Sequence, residues 1–214
     1  MDGILDLAIK PMRLAAIALI AMTMGGVLLQ AMPASASTPS IKSKVLQISD
    51  LPTGWSVDNS TSSDTTTAGC LSNLKEAPRG VPRVSESFQN GSSVPELGET
   101  LETRPGSSKR WNALNRALSQ CKTISLQQEG KTVKGSVGAM SFPKVGDQSS
   151  AYAVTLPIEG INVGFDIILF RVGSYVAAIT YADIGSPDVS TVQRFTIEAV
   201  NKIKGQSTTA STVA

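Results

Sequence analysis

Histidine is missing from all 214 residues. Without it, Ser-His-Asp and Cys-His catalysis lose their general base and zinc sites lose their commonest ligand, so hydrolases of the familiar kinds are excluded. Neither Gly-x-Gly-x-x-Gly nor Gly-x-x-x-x-Gly-Lys occurs, which leaves the usual nucleotide sites unsupported. No sign of charge is in excess. Lys and Arg total 19 against 17 Asp and Glu, the net charge is +2 and no basic block stands out, so neither nucleic acid nor another polyanion is an expected partner. The two cysteines, Cys70 and Cys121, are far apart, which is not the Cys-x-x-Cys spacing of a redox pair. Paired carboxylates remain the one enzymatic chemistry on offer, through Glu86, Glu96, Glu99, Glu102, Asp166 or Asp183. Apart from Asp166, these acids read as solvated surface. The chain is expected to be no enzyme and to carry no cofactor or metal.

What the chain does have starts at its beginning. Lys10 and Arg13 precede an uncharged, mostly apolar run over 14–29, and Ala34-Ser35-Ala36 follows. A basic region, a hydrophobic stretch and small residues in that order describe a signal peptide cleaved after Ala36. The alternative is membrane anchoring by residues 14–33, but the run stops at Gln30, short of the roughly 20 apolar residues a spanning helix needs. Position 37 is Ser rather than Cys, which argues against lipid attachment. Asp2 and Asp6 are unusual in a basic leader, so translation starts at Met1 or at Met12.

Beyond the leader, residues 37–43 and 206–214 are rich in Ser, Thr and Ala and read as a flexible linker and tail around one domain over 44–205. An even cysteine count in an oxidising compartment is most simply a disulfide, and with two residues its connectivity is forced. Closing a loop of about fifty residues would stabilise the fold by roughly 4 kcal/mol on the chain-entropy model.

Periodicity outlines the elements. A short helical turn near Val45 and Ile48 runs into Pro52 and Gly54 and brings Trp55 back to the core, while 56–68 reads as a polar loop. A short helix is expected around Cys70, where Leu71 and Leu74 are three apart; alternation over 84–89 indicates a strand. Capped by Ser107 or Ser108, a helix over 109–122 aligns Trp111, Leu114, Leu118 and Cys121, so that the disulfide would pin it to the segment around Cys70. Strands follow near Ile124 and over 131–137 and 138–142, then a polar turn over 147–150. A three-stranded antiparallel meander occupies 151–158, 162–172 and 175–182, its middle strand apolar enough to be covered on both faces. A final helix begins near Pro187 and stops at Gly205. The fold class expected is α+β, a curved antiparallel sheet with two long helices packed on it.

The motifs Asp50-Leu51-Pro52-Thr53-Gly54-Trp55, Gly69-Cys70, Met140-Ser141-Phe142-Pro143 with Gly146-Asp147 and Ala151-Tyr152, Arg171-Val172-Gly173-Ser174-Tyr175 and Tyr181-Ala182-Asp183-Ile184-Gly185-Ser186-Pro187-Asp188 together resemble exported actinobacterial proteins. More narrowly, residues 44–204 look like the extracellular sensor domain of the mycobacterial kinase PknH. The resemblance implies a sheet with helices around a cleft for a small extracellular ligand. The chain departs from it in having cysteines for one disulfide rather than two and no kinase segment, so signalling through an attached kinase is not expected. On architecture alone there is an analogy to the PsbP and Mog1 fold, whose members bind or assemble.

Asp166 lies inside the apolar stretch 165–170, and Arg171 ends it. A carboxylate there faces a polar side or lines a cavity, because burying it unpaired is costly. Tyr152, Tyr175 and Tyr181 belong to the same meander and could line an apolar pocket. Asp166, Arg171 and the three tyrosines are therefore the candidate ligand-binding residues, with Trp55 and Trp111 assigned to packing. The expected function is a secreted or cell-envelope, sensor-like binding domain for a small apolar or amphipathic ligand. One alternative is an envelope protein-interaction or structural factor without a pocket; another is a carboxylate-dependent enzyme of unfamiliar type. Membrane contact is expected only through an uncleaved leader.

Overall fold

The computed structural model describes residues 40–59, 66–69, 80–91, 94–128 and 131–206. The leader, Cys70 with the helix expected around it, and the tail from 207 lie outside the described residues. Two single 3-10 turns, Ile41–Lys44 and Ile48–Asp50, lead into β1 (Trp55–Val57), β2 (Thr66–Gly69), β3 (Arg83–Asn90) and β4 (Glu96–Thr103). Helix α1 (Ser107–Gln120) follows, then β5 (Thr123–Gln128), β6 (Lys131–Ala139), β7 (Gln148–Ile158), β8 (Ile161–Val172), β9 (Tyr175–Ile184) and α2 (Val189–Lys204).

The nine described strands form one sheet in the order β1-β3-β4-β9-β8-β7-β6-β5-β2. Every pairing is antiparallel. The expected meander is there and larger, since β5 to β9 are all sequential neighbours. Strand β8 is central and covered on both faces, as its apolar run implied. Ile168, Phe170 and Val172 point to one side, where Val192, Phe195, Ala199, Val200 and Ile203 of α2 cover them. Val163 and Leu169 point to the other, where they join Trp111 and Leu118 of α1 with Tyr152, Val154, Leu156 and Val176. The helices thus sit on opposite faces of the sheet.

Helix α2 is bounded by its own chemistry. Asp188 accepts from the Ser190 and Thr191 N–H groups at the start, and Gly205 takes the left-handed conformation, φ 72°, at the end. Helix α1 starts differently from expectation: its cap is Gly106, and Ser107 instead donates its hydroxyl to the Gly173 carbonyl at 2.8 Å.

Other expectations are corrected. The polar stretch 56–68 contributes to both β1 and β2, two edge strands whose backbones pair with β3 and β5. The segments 131–137 and 138–142 are one strand, β6, which ends at Ala139. The polar turn at 147–150 shrinks, because β7 already begins at Gln148 opposite Arg171. Strand β4 had no sequence signal at all and occupies an interior position between β3 and β9.

Candidate functional site

The five candidate residues are split by strand parity. Tyr152 pairs with Ile167 and so points to the α1 face, where its hydroxyl donates to Asn115 Oδ1 at 2.7 Å. Arg171 is used up at the β8–β9 turn: its Nε donates to Gln148 Oε1, its Nη1 to the Gly173 carbonyl, both at 2.8 Å, and Asp147 Oδ2 lies 3.1 Å away. Tyr175 opens β9 beneath Lys44, whose ammonium stands 5.6 Å from the ring centroid. Only Asp166 and Tyr181 come together, as direct cross-strand neighbours on the face that carries α2.

Asp166 is 2% exposed, and its Oδ2 is buried without a hydrogen-bond partner among the described residues. Burial raises its pKa from 3.8 to about 6. The register sets Gly138, Ala153, Asp166 and Tyr181 side by side across β6 to β9. Gly138 is exposed and has open space where a Cβ would stand, so the carboxyl is flanked on one side by two residues of minimal bulk. On the other side Tyr181 stacks into an aromatic cluster, 6.3 Å from Trp55 and 6.1 Å from Phe195 between ring centroids. Burial, with Asp183 and Asp188 nearby, pushes the Tyr181 phenol up to about 12, so it stays protonated and able to donate. The result is a buried acid between a small-residue floor and an aromatic wall, an arrangement suited to a donor group on an otherwise apolar ligand.

Sequence reasoning missed a second buried acid, and reading Glu99 and Glu102 as solvated surface is corrected here. Glu99, on β4, is 1% exposed under the N-terminal segment, and its Oε2 accepts the Leu46 N–H at 2.6 Å. Its Oε1 has no partner among the described residues. Burial raises its pKa to about 8 against the Leu46 hydrogen bond and Lys202, with Asp50 and the cross-strand neighbour Glu86 adding repulsion. Closed off in this way, Glu99 ties the first segment to the sheet, helped by the Lys202–Asp50 ion pair and a Lys44 bond to the Ile203 carbonyl at 2.7 Å. Glu102, 4% exposed, pairs with Arg110 of α1 at 2.7 Å. Glu96 is raised to about 8, first by burial and then by Asp58.

Cys121 is buried at the end of α1, and no cysteine is free among the described residues. Gly69, the residue before Cys70 in sequence, pairs with Ile124, three positions after Cys121. Among the described residues no group of three or more acidic or cysteine side chains could hold a metal ion, and no helix is long and apolar enough to cross a membrane.

No family model matches the chain, and no curated protein matches it. Among solved structures, the extracellular domain of PknH from Mycobacterium tuberculosis is similar with a TM-score of 0.56 and 11% identity, over 77% of this chain and 95% of that one. At that identity the likeness is one of fold.

Proposed function

We propose that this chain is an exported, sensor-like, non-catalytic domain of actinobacterial type that binds a small amphipathic ligand on its α2 face, beside Asp166. The observation that carries the reading is the buried Oδ2 of Asp166, without a partner among the described residues and set beside the small Ala153 and the open position of Gly138. A buried carboxyl without a partner is costly, and a ligand donor would relieve that cost. The fold shared with an extracellular domain is in keeping with a signal peptide removed after Ala36 and with a Cys70–Cys121 bridge.

The test is an amide NMR titration with organic extract from the envelope of the producing cell. Saturable shifts centred on Asp166, Ala153, Tyr181 and Gly138, abolished by Asp166→Leu, are expected. Shifts elsewhere, or none, would sink the reading.

A second reading, a partner protein rather than a small ligand, draws on Ile161 and Ile184, which are 53% and 60% exposed. They lie on the opposite face from Asp166: Ile184 pairs with Val163, and Ile161 precedes Val163 by two positions on β8. Exposed isoleucines so placed are the kind of patch a protein interface covers. Co-purification of a defined partner that is lost in Ile184→Glu would favour it.

A further inference from the structure

We propose that the end of the sheet where β4 passes into α1 binds an oxyanion, a phosphate group or its like, between Arg83 and Arg104. This site is separate from Asp166 and does not depend on the reading given for it.

Register places Arg83 and Arg171 in one row across β3, β4, β9 and β8, with Arg104 just beyond the end of β4 and Arg110 on α1 paired to that row's Glu102, and two of these four arginines are neutralised. Arg110 is paired with Glu102, and Arg171 with Asp147 and Gln148. Arg83 and Arg104 are not: each is half-buried, each has its Nε out of water, and neither Nε has a hydrogen-bond partner among the described residues. Neither arginine forms a described salt bridge. The one carboxylate within register of Arg83 is its direct cross-strand partner Glu102, whose Oε1 is occupied by Arg110 Nε at 2.7 Å. Arg104 follows Glu102 by two residues, and its backbone N–H is fixed to the Ser174 carbonyl at 3.1 Å, which holds the loop in place.

An arginine does not shed its proton to escape burial, and an anion would supply the partner that each Nε lacks. Guanidinium forks suit the tetrahedral or planar oxygens of phosphate, sulfate or carboxylate, which accept two parallel N–H bonds. The start of α1 adds to the attraction, because its cap, Gly106, offers no side chain to the first N–H groups. Glu102 carries one negative charge and holds Arg110 with it, so it does not neutralise the whole cluster. The overall net charge of +2 conceals this local excess, which is created by register and not by any run of basic residues.

The ligand is a phosphoanion, free in solution or carried by a lipid headgroup. In the full chain, side-chain Nε–H resonances of Arg83 and Arg104 are followed by NMR as inorganic phosphate is added against sodium chloride of matched ionic strength. Saturable movement of both resonances with phosphate alone is expected, weakened at least tenfold in Arg83→Gln and in Arg104→Gln but unchanged in Lys122→Gln. A parallel arm sediments the protein with phosphatidylglycerol vesicles and with phosphatidylcholine vesicles. Arginine-dependent binding to the first alone, without a response to phosphate, assigns the anion to a headgroup. Movement that chloride reproduces, together with vesicle binding indifferent to both substitutions, overturns the site. Should either variant fail to fold, the wild-type resonances still decide.

Discussion

Glu99 carries the sharpest expectation of any single residue. Its folded pKa of about 8 lies above the ordinary 4.5, so the folded state keeps a proton that the unfolded chain gives up. The stability this brings is complete below pH 4.5 and is lost as pH rises through about 8. Glu99→Gln keeps an oxygen for the Leu46 N–H and removes the titration. Its melting temperature should match the wild type near pH 5 and exceed it near pH 8, by about 2–4 °C for each kcal/mol recovered. A difference that does not change with pH would contradict the assignment.

How legible these residues were is a matter of parity. Asp166 announced itself as the lone acid in an apolar run, and the structure buries it. That Tyr181 stands beside it follows only from the β8–β9 register, which is not written in either strand alone. The same register sends Tyr152 to the other face, and Tyr175, six residues from Tyr181 along β9, lies roughly 20 Å away at strand rise. Glu99 was hidden because it alternates with Leu97 and Leu101 on a strand whose other face also bears Glu96 and Glu102, so no apolar alternation remained to be read.

At the scale of elements, the α2 face depends on two contacts that can be broken separately. Phe195 is buried among the sheet residues and lies edge-on to Trp55, with ring centroids 5.4 Å apart. Phe195→Ala should cost about 3–5 kcal/mol in denaturant unfolding, the usual range for an aromatic cavity. Gly164 on β8 packs against the backbone of the Gly185 turn and against Pro187, so a methyl group there would collide with both. Gly164→Ala should therefore lift the turn that leads into α2 and destabilise by about 1–3 kcal/mol, with amide exchange quickening first at 185–189. Equal protection in variant and wild type would show that the turn tolerates the displacement.

The elements themselves were legible where local rules and tertiary context agreed. Both helices showed their apolar faces in sequence, and α2 also its Gly205 stop, because the chemistry that ends a helix is local. The edge strands β1 and β2 were not legible, since their residues are chosen by backbone pairing with β3 and β5 rather than by burial. Gly106 replaced a serine as the α1 cap because Ser107 was drawn into a bond with a distant turn, a tertiary competition that local signals do not contain.

For the whole molecule, three acids shift the same way. Glu96 and Glu99 are raised to about 8 and Asp166 to about 6, each chiefly by burial. Deprotonating them costs the folded state, so the wild-type protein should be more stable at pH 5 than at pH 8; a thermal scan showing the reverse would place the controlling titrations elsewhere. The proposed Cys70–Cys121 bridge acts at this scale too. Cys121→Ser should cost about 2–4 kcal/mol, comparable to reducing the wild type, and reduction should leave the variant's stability unchanged.

Native mass spectrometry of protein recovered without refolding from the medium and envelope of the cell that makes it tests at once whether the chain is exported, bridged and ligand-bound. The expected species is a chain beginning at Ser37, two hydrogens light, carrying a small non-covalent molecule that Asp166→Leu no longer retains. A bare chain in wild type and variant alike, or one that still carries residues 1–36, would contradict it.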